Sequence, residues 1–470
     1  MSEIIHSIFT AYLLFVIFYF ICVNLVYGMF LAVALKEILN HMRRDSFVDY
    51  RKLIQSGFTY PVSILAPAFN EGETVVESVR SLLKLNYGRY EVLLVNDGSK
   101  DKTLEKMIQE YDLLKTSQFY YPVIETKPVN GIYKSRKPEY KNLTVVDKEN
   151  GGKADALNVG INIARYDYIC CIDADSILED DALLKVMKPF HEDKTIVAIG
   201  GIVRIANGCE VIHGRVVNVG LSRKLLPLFQ VVEYLRAFLS GRMFWNIFSG
   251  TLIISGAFGI FKKSAVLEVG GYRTDTVGED MELVTRIHRM MIESKRPYKV
   301  VFIPDPVCWT EAPESVSMLA RQRNRWHRGL LDTLIIHRKM IFNPRYGVIG
   351  MGAMPYFLMI ELLGPVFEAL GYIALIVMAF WGILDVDIAV LFFIVSIFYG
   401  AMFSVGAVTL EEISFQRYPK PRDIALLLSF GIIENFGYRQ LTVIWRLKGI
   451  FDYLTGKKLW GHMQRKGFGT

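Results

Sequence analysis

The chain has 470 residues, of which 52% are hydrophobic, and carries a formal net charge of +7 at pH 7. That length admits one to three domains. The charge is modest and no basic repeat interleaved with aromatics is visible, which argues against a nucleic-acid-binding protein. The five cysteines (Cys22, Cys170, Cys171, Cys209 and Cys308) form no Cys-x-x-Cys pair and lie near no histidine cluster, so they read as reduced structural thiols and not as zinc ligands.

Long apolar runs sit at the two ends of the chain and not in its middle, the pattern of a membrane protein with a soluble insert. Ile8 to Leu35 is one such run, broken only by Thr10, Asn24 and Gly28. It exceeds the ~20 residues a membrane span needs. Glu3 and His6 precede it, while Lys36, Arg43, Arg44, Arg51 and Lys52 follow. The positive-inside rule then puts the N-terminus outside and the middle of the chain in the cytoplasm. A cleaved signal peptide is disfavoured, because a basic leader and a small-residue cleavage site are both missing. Residues 1–36 are expected to form a transmembrane helix and 37–60 a juxtamembrane linker.

Residues 61–313 read as an α/β domain. Val62 to Pro67 is a strand that runs into a loop, and Glu73 to Leu85 has helical spacing, with Val75, Val76, Val79, Leu82 and Leu83 on one side. Tyr90 to Val95 is a second strand, followed by Asn96-Asp-Gly-Ser99, with Asp101 or Ser99 placed to cap the next helix. Lys115 to Lys141 is polar, basic and proline-bearing, and reads as an excursion from the sheet. Leu143 to Val146 is a third strand and Ala154 to Ala164 a helix. Tyr168 to Ile172 is a short buried strand that ends abruptly in Asp173-Ala-Asp175. Strand-loop-helix units in series predict a mostly parallel sheet with right-handed crossovers.

Beyond the α/β stretch, Ser315 to Leu334 is a helix with a dense basic face, within an expected interfacial region 314–346. Residues 347–447 are expected to hold the C-terminal membrane segments. Ile388 to Leu410 is an uninterrupted span. Pro355 to Trp381 is interrupted by Glu361, Gly364-Pro365 and Glu368. Ile424 to Leu447 carries Glu434, Asn435, Arg439 and Gln440 in its middle. Ionisable groups inside a span face protein or water. Two C-terminal spans plus one interfacial or re-entrant element agree better with a basic cytoplasmic tail, 448–470, than three spans do.

Polar groups follow successive strand ends, where open α/β sheets bind ligands. Pro67, Asn70 and Glu71 follow the first strand, with backbone that could edge a planar base. Asp97 follows the second and could accept from a uracil ring N–H or a ribose hydroxyl. Gly151-Gly-Lys153 precedes a helix, so Lys153 could reach a phosphate or the carboxylate of Asp155 or Asp175. The spacing is not that of a Walker loop. Asp173 and Asp175 suit a hard divalent cation that in turn holds a diphosphate; a solvated strand-to-helix loop is the plainer alternative. Gly278-Glu279-Asp280 opens a helix, Met281 to Met291. A carboxylate there can take the proton of an attacking sugar hydroxyl, or simply favour the helix dipole. Gln322, Arg325 and Trp326, at i, i+3 and i+4, share a helix face. An indole suits sugar stacking and an arginine suits a diphosphate. The alternative is a basic helix on acidic lipid, a role that Arg321, Arg323 and Arg328 fit.

In this order, the motifs Pro67–Glu71, Asn96-Asp-Gly-Ser99, Gly151–Asn158, Asp173-Ala-Asp175, Ser255-Gly-Ala-Phe-Gly259, Gly278-Glu-Asp280 and Gln322-Arg-Asn-Arg-Trp326 resemble those of processive family 2 glycosyltransferases. These are the membrane synthases of cellulose, hyaluronan, chitin and poly-N-acetylglucosamine. The resemblance implies a GT-A-like α/β nucleotide-sugar transferase domain inserted between α-helical transmembrane segments. It implies that Asp97 binds uridine, that Asp173 meets the ribose or diphosphate, and that Asp175 ligates Mg2+ or Mn2+. Asp280 would be the catalytic base, and Ser255 and Gly256 would line the acceptor side beside Glu279. Gln322, Arg325 and Trp326 would hold the diphosphate and the acceptor sugar. Gly278 stands where many members have Thr or Ser, with the base retained.

The implied reaction is single displacement at C1 of a UDP-sugar with inversion, giving a β-linked polymer that the C-terminal spans export. The implied partners are a UDP-sugar, the growing polysaccharide, the lipid bilayer of the cell membrane and an accessory export subunit, with no nucleic acid. No further soluble domain follows the last hydrophobic segment, so a fused cyclic-dinucleotide receptor is not expected. Compact length and Ser255–Gly259 favour UDP-N-acetylglucosamine, with UDP-glucose or a hyaluronan-type alternation next. Two other readings remain: a non-processive transferase that puts one sugar on a lipid-linked acceptor, and an inactive membrane scaffold.

Overall fold

The structure, a computed structural model of the chain, describes residues 2–45, 59–212 and 214–456. Arg51 and Lys52 of the expected linker, and Lys457, Lys458, Arg465 and Lys466 of the expected basic tail, lie outside the described residues. The chain divides into two compact units. An α/β unit combines Arg43–Leu221 with Phe248–Ala312; a helical unit combines Met1–Met42, Ser222–Ile247 and Pro313–Gly461. Sequence reading leaves residues 222–247 inside the catalytic stretch. They belong to the helical unit because the apolar helix Leu225–Leu235 packs there, its Phe229 ring stacked on Tyr438 at 4.6 Å.

The α/β unit is built on β1 (Val62–Ala68), β2 (Tyr90–Asp97), β3 (Leu113–Thr116), β4 (Val129–Ser135), β5 (Leu143–Lys148), β6 (Tyr168–Ile172), β7 (Ile177–Leu178), β8 (Ile196–Ile205), β9 (Glu210–Ile212), β10 (Arg215–Asn218), β11 (Phe258–Lys262) and β12 (Lys299–Thr310). Ten of these form one sheet in the order β3-β4-β5-β2-β1-β6-β11-β8-β12-β7, and β9 and β10 form a separate hairpin. Strands β3, β5, β2, β1, β6, β8 and β12 run one way and β4, β11 and β7 oppose them. The sheet is therefore mixed but mostly parallel in direction. Its central strands are continuous β-branched and aliphatic runs, because helices cover both faces.

The helix Lys153–Ile163 buries Ala156, Leu157, Val159 and Ile161 against Leu65, Leu93 and Val95. On the other side of the chain's first crossover, Val75–Leu83 buries Val75, Val79 and Leu82. Pro67 lies inside β1 and not after it. A proline is tolerated because β1 pairs with β6 only as far as Leu65, so no ladder bond is lost on that side.

Two expectations about strands are corrected. The stretch Lys115–Lys141 is not an excursion from the sheet, since β3 ends in it and β4 lies within it. As the edge strand and its neighbour they need only a half-buried pattern, with Gly131 and Ile132 buried among polar neighbours. Strand β5 runs two residues past Val146, because Asp147 and Lys148 find polar partners opposite, in register with Asn96 and Asp97.

Among the described residues three helices are long and apolar enough to cross a membrane: Ile5–Arg43, Ile349–Phe380 and Val386–Ser414. Leu13, Val16, Ile17 and Phe20 of the first pack with Ala374, Leu375, Met378, Phe392 and Val395 of the others. The stretch Ile424–Leu447 is not one helix. It is split into Pro421–Ile433 and Tyr438–Leu454 at Gly437, whose φ of 96° is open to glycine without strain.

Candidate active site

The site in the α/β unit grows from strand ends. Side chains in register on adjacent parallel strands sit side by side, and the last rung of β2 against β5 pairs Asp97 with Lys148. Both are buried. Lys148 Nζ lies 2.6 Å from Asp97 Oδ1 and 2.6 Å from Asp155 Oδ2. The Gly151 and Gly152 N–H groups donate to Asp97 at 2.9 and 2.8 Å, and Asn150 Nδ2 donates to Oδ2 at 3.1 Å. Four donors fill the acceptor capacity of one carboxylate. The Gly-Gly turn is therefore an internal clasp, with its N–H groups aimed at Asp97.

Beyond the turn, Lys153 opens the helix. Its ammonium lies 2.5 Å from Asp173 Oδ1, donates to the Gly256 carbonyl at 3.1 Å, and stands 4.0 Å from Glu279 Oε1. Sequence reading allowed Lys153 a contact with Asp155 or Asp175. It meets Asp173 instead, and Asp155 is held by Lys148. Burial opposes the Lys153 charge, but Asp173, Glu279 and Asp280 outweigh it and raise its pKa above the ordinary lysine value.

Asp280 sits in the first turn of the helix Glu279–Glu293. Its Oδ1 accepts from Met281 N–H at 2.8 Å and its Oδ2 from Gly256 N–H at 3.2 Å. It is half-buried, whereas Glu279 is buried. Both line a cleft together with Lys153, Cys171, Ser255, Gly256 and Tyr272. The Cys171 thiol is pushed up to about 11 by burial, so it is no nucleophile at neutral pH. Tyr272 is fixed by Asn158, which accepts from its N–H at 2.7 Å and donates to its carbonyl at 2.8 Å.

Thus the structure brings Asp97, Lys153, Asp173, Ser255, Gly256, Glu279 and Asp280 to one end of the sheet. Asp175 is buried two residues past Asp173. Asn70 and Glu71 are tied to the loop after β2: Asn70 N–H donates to Ser99 Oγ at 3.0 Å, Asn70 Oδ1 accepts from Lys100 N–H at 2.8 Å, and Glu71 N–H donates to Thr103 Oγ1 at 2.9 Å. Asp101 accepts from the N–H of Thr103, the first residue of the following helix, at 3.0 Å, while the N-cap position itself is Lys102.

Among the described residues no three His, Cys, Asp or Glu side chains are grouped to hold a metal by themselves. Hard cations that travel with nucleotides need fewer, one or two carboxylates with phosphate and water oxygens completing the shell. Asp173 and Asp175 fit that donor set, and the ammonium of Lys153 against Asp173 shows that the spot draws positive charge.

The remaining motif lies in the helical unit, on Val316–Ile336, capped by Ser315, which accepts from Met318 N–H. Gln322 is buried and its Oε1 accepts from Arg323 Nη1 at 2.7 Å. Trp326 is 43% exposed, with the Arg323 guanidinium 4.3 Å from its ring centroid. Arg325 is half-buried. Arg323 and Arg328 do not face lipid as expected. Arg323 is buried and paired with Glu233 at 2.6 Å, which also accepts from Tyr438, and Arg328 is buried as well. Lys148, Tyr272 and Glu233 are the site residues that sequence reading passed over.

The fold and the ordered strand ends define a GT-A-like glycosyltransferase. Residues 135–329 match the family model described as glycosyltransferase-like family 2, and residues 63–121 match that of glycosyl transferase family 2. The chain is a family 2 glycosyltransferase, and it resembles poly-β-1,6-N-acetyl-D-glucosamine synthases. It is 30% identical over 274 residues to that of Staphylococcus epidermidis, and equally to that of Staphylococcus aureus (strain COL), covering 58% of this chain and 55% of each relative. The match thus spans about half the length of these curated relatives. Among solved structures, a mannosyltransferase from Pyrobaculum calidifontis, in complex with GDP-Man and Mn2+, shares the fold with a TM-score of 0.50 and 18% identity, over 87% of this chain and 99% of that one.

Proposed function

We propose that this protein is a processive inverting β-glycosyltransferase that polymerises sugar from UDP-N-acetylglucosamine and passes the polymer across the cell membrane. The observation that carries the reading is the half-buried Asp280 carboxylate, held by Gly256 N–H in the same cleft as a lysine clamped on Asp173. An acid-base group and a cationic diphosphate end in one cleft suit sugar transfer from a nucleotide donor. The match to poly-N-acetylglucosamine synthases supports the choice of sugar, and three membrane-length helices support the export role.

In this mechanism Asp280 accepts the proton of the acceptor hydroxyl, whose oxygen bonds to C1 of the sugar as the bond from C1 to the diphosphate oxygen breaks. Mg2+ or Mn2+, held by Asp175 with Asp173, would neutralise charge on the diphosphate. Lys153 supplies an ammonium beside Asp173, and Arg325 is proposed to meet the leaving UDP. Trp326 offers an exposed indole for the acceptor sugar, its ring already stacked by Arg323. For Asp97 to hold uridine, the base would replace one of its present donors, of which the Asn150 amide at 3.1 Å is the longest.

The test is UDP release by the purified full chain against a panel of UDP-sugars with Mg2+ or Mn2+, with mass analysis of product. A long homopolymer of N-acetylglucosamine is expected. One sugar added only when a lipid acceptor is present would overturn processivity.

A further inference from the structure

Resting on the nucleotide-donor reading above, we propose that Lys148 is the positioning residue of the donor site. It sets the Gly151-Gly152 turn and, through it, the place of Lys153. Its side chain has no exposed surface, so it does not touch a nucleoside diphosphate and acts through what it holds. Its ammonium meets Asp97 on the end of β2, Asp155 in the first turn of the Lys153–Ile163 helix, and the Glu149 carbonyl between them. Three pieces of chain converge on one charge.

Each piece then has a consequence for the site. Asp97, fixed by Lys148, takes the N–H groups of Gly151 and Gly152. Asp155, fixed by Lys148, closes over Gly151, where an added Cβ would collide with its carboxylate. Asp155 also accepts from Lys127 N–H at 3.2 Å, which ties in the chain leading to β4. With the turn held at both ends, the helix starts at a fixed point. Lys153, its first residue, then reaches both Asp173 and the Gly256 carbonyl. Without the ammonium, Asp97 and Asp155 become buried carboxylates lacking their cation, a strongly unfavourable arrangement. The turn between them relaxes and Lys153 moves with it.

The experiment uses the full chain in lipid nanodiscs with Mg2+, and measures UDP binding calorimetrically and donor KM and kcat with UDP-N-acetylglucosamine. For Lys148→Met the UDP Kd and donor KM should rise about tenfold or more, with kcat of the folded fraction changed far less, as for lost ground-state binding. A lower melting temperature and smaller active fraction with unchanged KM would mean a structural lysine only, and would overturn the proposal. Asp155→Asn keeps the side-chain volume and should shift the same constants in the same direction. It carries the test alone if Lys148→Met does not fold, and an unchanged KM then overturns the proposal. The double variant should cost less than the sum of the two; simple additivity overturns the coupling. A wild-type chain that binds no UDP overturns the nucleotide-donor reading itself, a result separate from any variant effect.

Discussion

Both units bury charge, but they do different things with it. In the α/β unit, Lys148, Asp97, Asp155, Lys153 and Asp173 converge at the carboxyl ends of the parallel strands, and backbone N–H groups of a turn complete the set. In the helical unit the charges are spread along Tyr438–Leu454 and its neighbours. Arg439 pairs with Glu368 at 3.0 Å and Arg446 with Glu361 at 3.1 Å, while Arg236 meets Glu434 at 2.6 Å. Each of those pairs joins different helical segments, and further hydrogen bonds tie it to its surroundings, as Ser404 does for Arg236 and Glu434 and the Ser396 carbonyl for Arg439. The difference teaches that buried charge does not by itself mark a site, since structural networks bury it too. What marks the site is convergence on a cleft where the carboxylates of Asp173 and Asp280 stay half-buried.

The comparison breaks first at Asp280. Asp280→Asn should lower turnover by a factor of about 10² to 10⁴, the usual worth of a general base, with UDP affinity nearly unchanged. Equal loss of both would remove the base assignment and leave the cleft a binding site only. Next comes the helical network. Arg439→Met leaves the buried Glu368 without its cation, and should cost about 3 kcal/mol of stability in a denaturant titration. Its effect on UDP binding should be negligible. Pairing it with Glu368→Leu should recover most of the stability, because a buried ion pair can be replaced by apolar groups.

The strand ends were legible because buried parallel strands read as apolar runs, and a run such as Tyr168 to Ile172 that stops at Asp173 announces its own end. The same rule hid Lys148. A strand ending in Asp147-Lys148 looks finished at Val146 when the partner rung of Asn96 and Asp97 is out of view. Strand β4 was hidden by its place beside the edge strand β3, where a half-buried, polar pattern is tolerated. Residues 222–247 were misassigned because an apolar helix carries no label for the core it joins. Arg323 was read as lipid-facing because nothing in a local basic run announces Glu233, ninety positions earlier. The membrane segments were clearer, since length and hydropathy are local properties. The break at Gly437 was visible only as charges where an unbroken span would not place them.

Acid should strain both units, and the sign follows from burial. His288 is fully buried, its ring between Tyr298 OH at 2.8 Å and the Thr251 carbonyl at 3.0 Å. Burial lowers its pKa to about 4. His327 of the helical unit is lowered to about 3 by burial and by Arg446. Below the ordinary value near 6.5 the unfolded chain binds a proton that the folded chain refuses, so stability falls as pH drops from about 6.5 toward 4. The His288 share is about 3 kcal/mol across that window. A urea titration series should show this loss for the wild type, and His288→Gln should flatten it even if it starts from a lower plateau.

The smallest effect sharpens the contrast between the two lysines of the site. A Cβ added at Gly256 would stand 2.8 Å from Lys153 Nζ, the far end of a flexible side chain that can retreat. Gly256→Ala should therefore cost only about 1 kcal/mol in stability, but it moves the ammonium off the Gly256 carbonyl and should weaken UDP binding measurably. At Gly151 the added Cβ meets the Asp155 carboxylate, which Lys148 holds in place, so Gly151→Ala has no such retreat and should cost more in both measurements. Equal effects at the two glycines would mean that Lys148 leaves its loop as compliant as the Lys153 side chain, and the distinction between a fixed lysine and a mobile one would go.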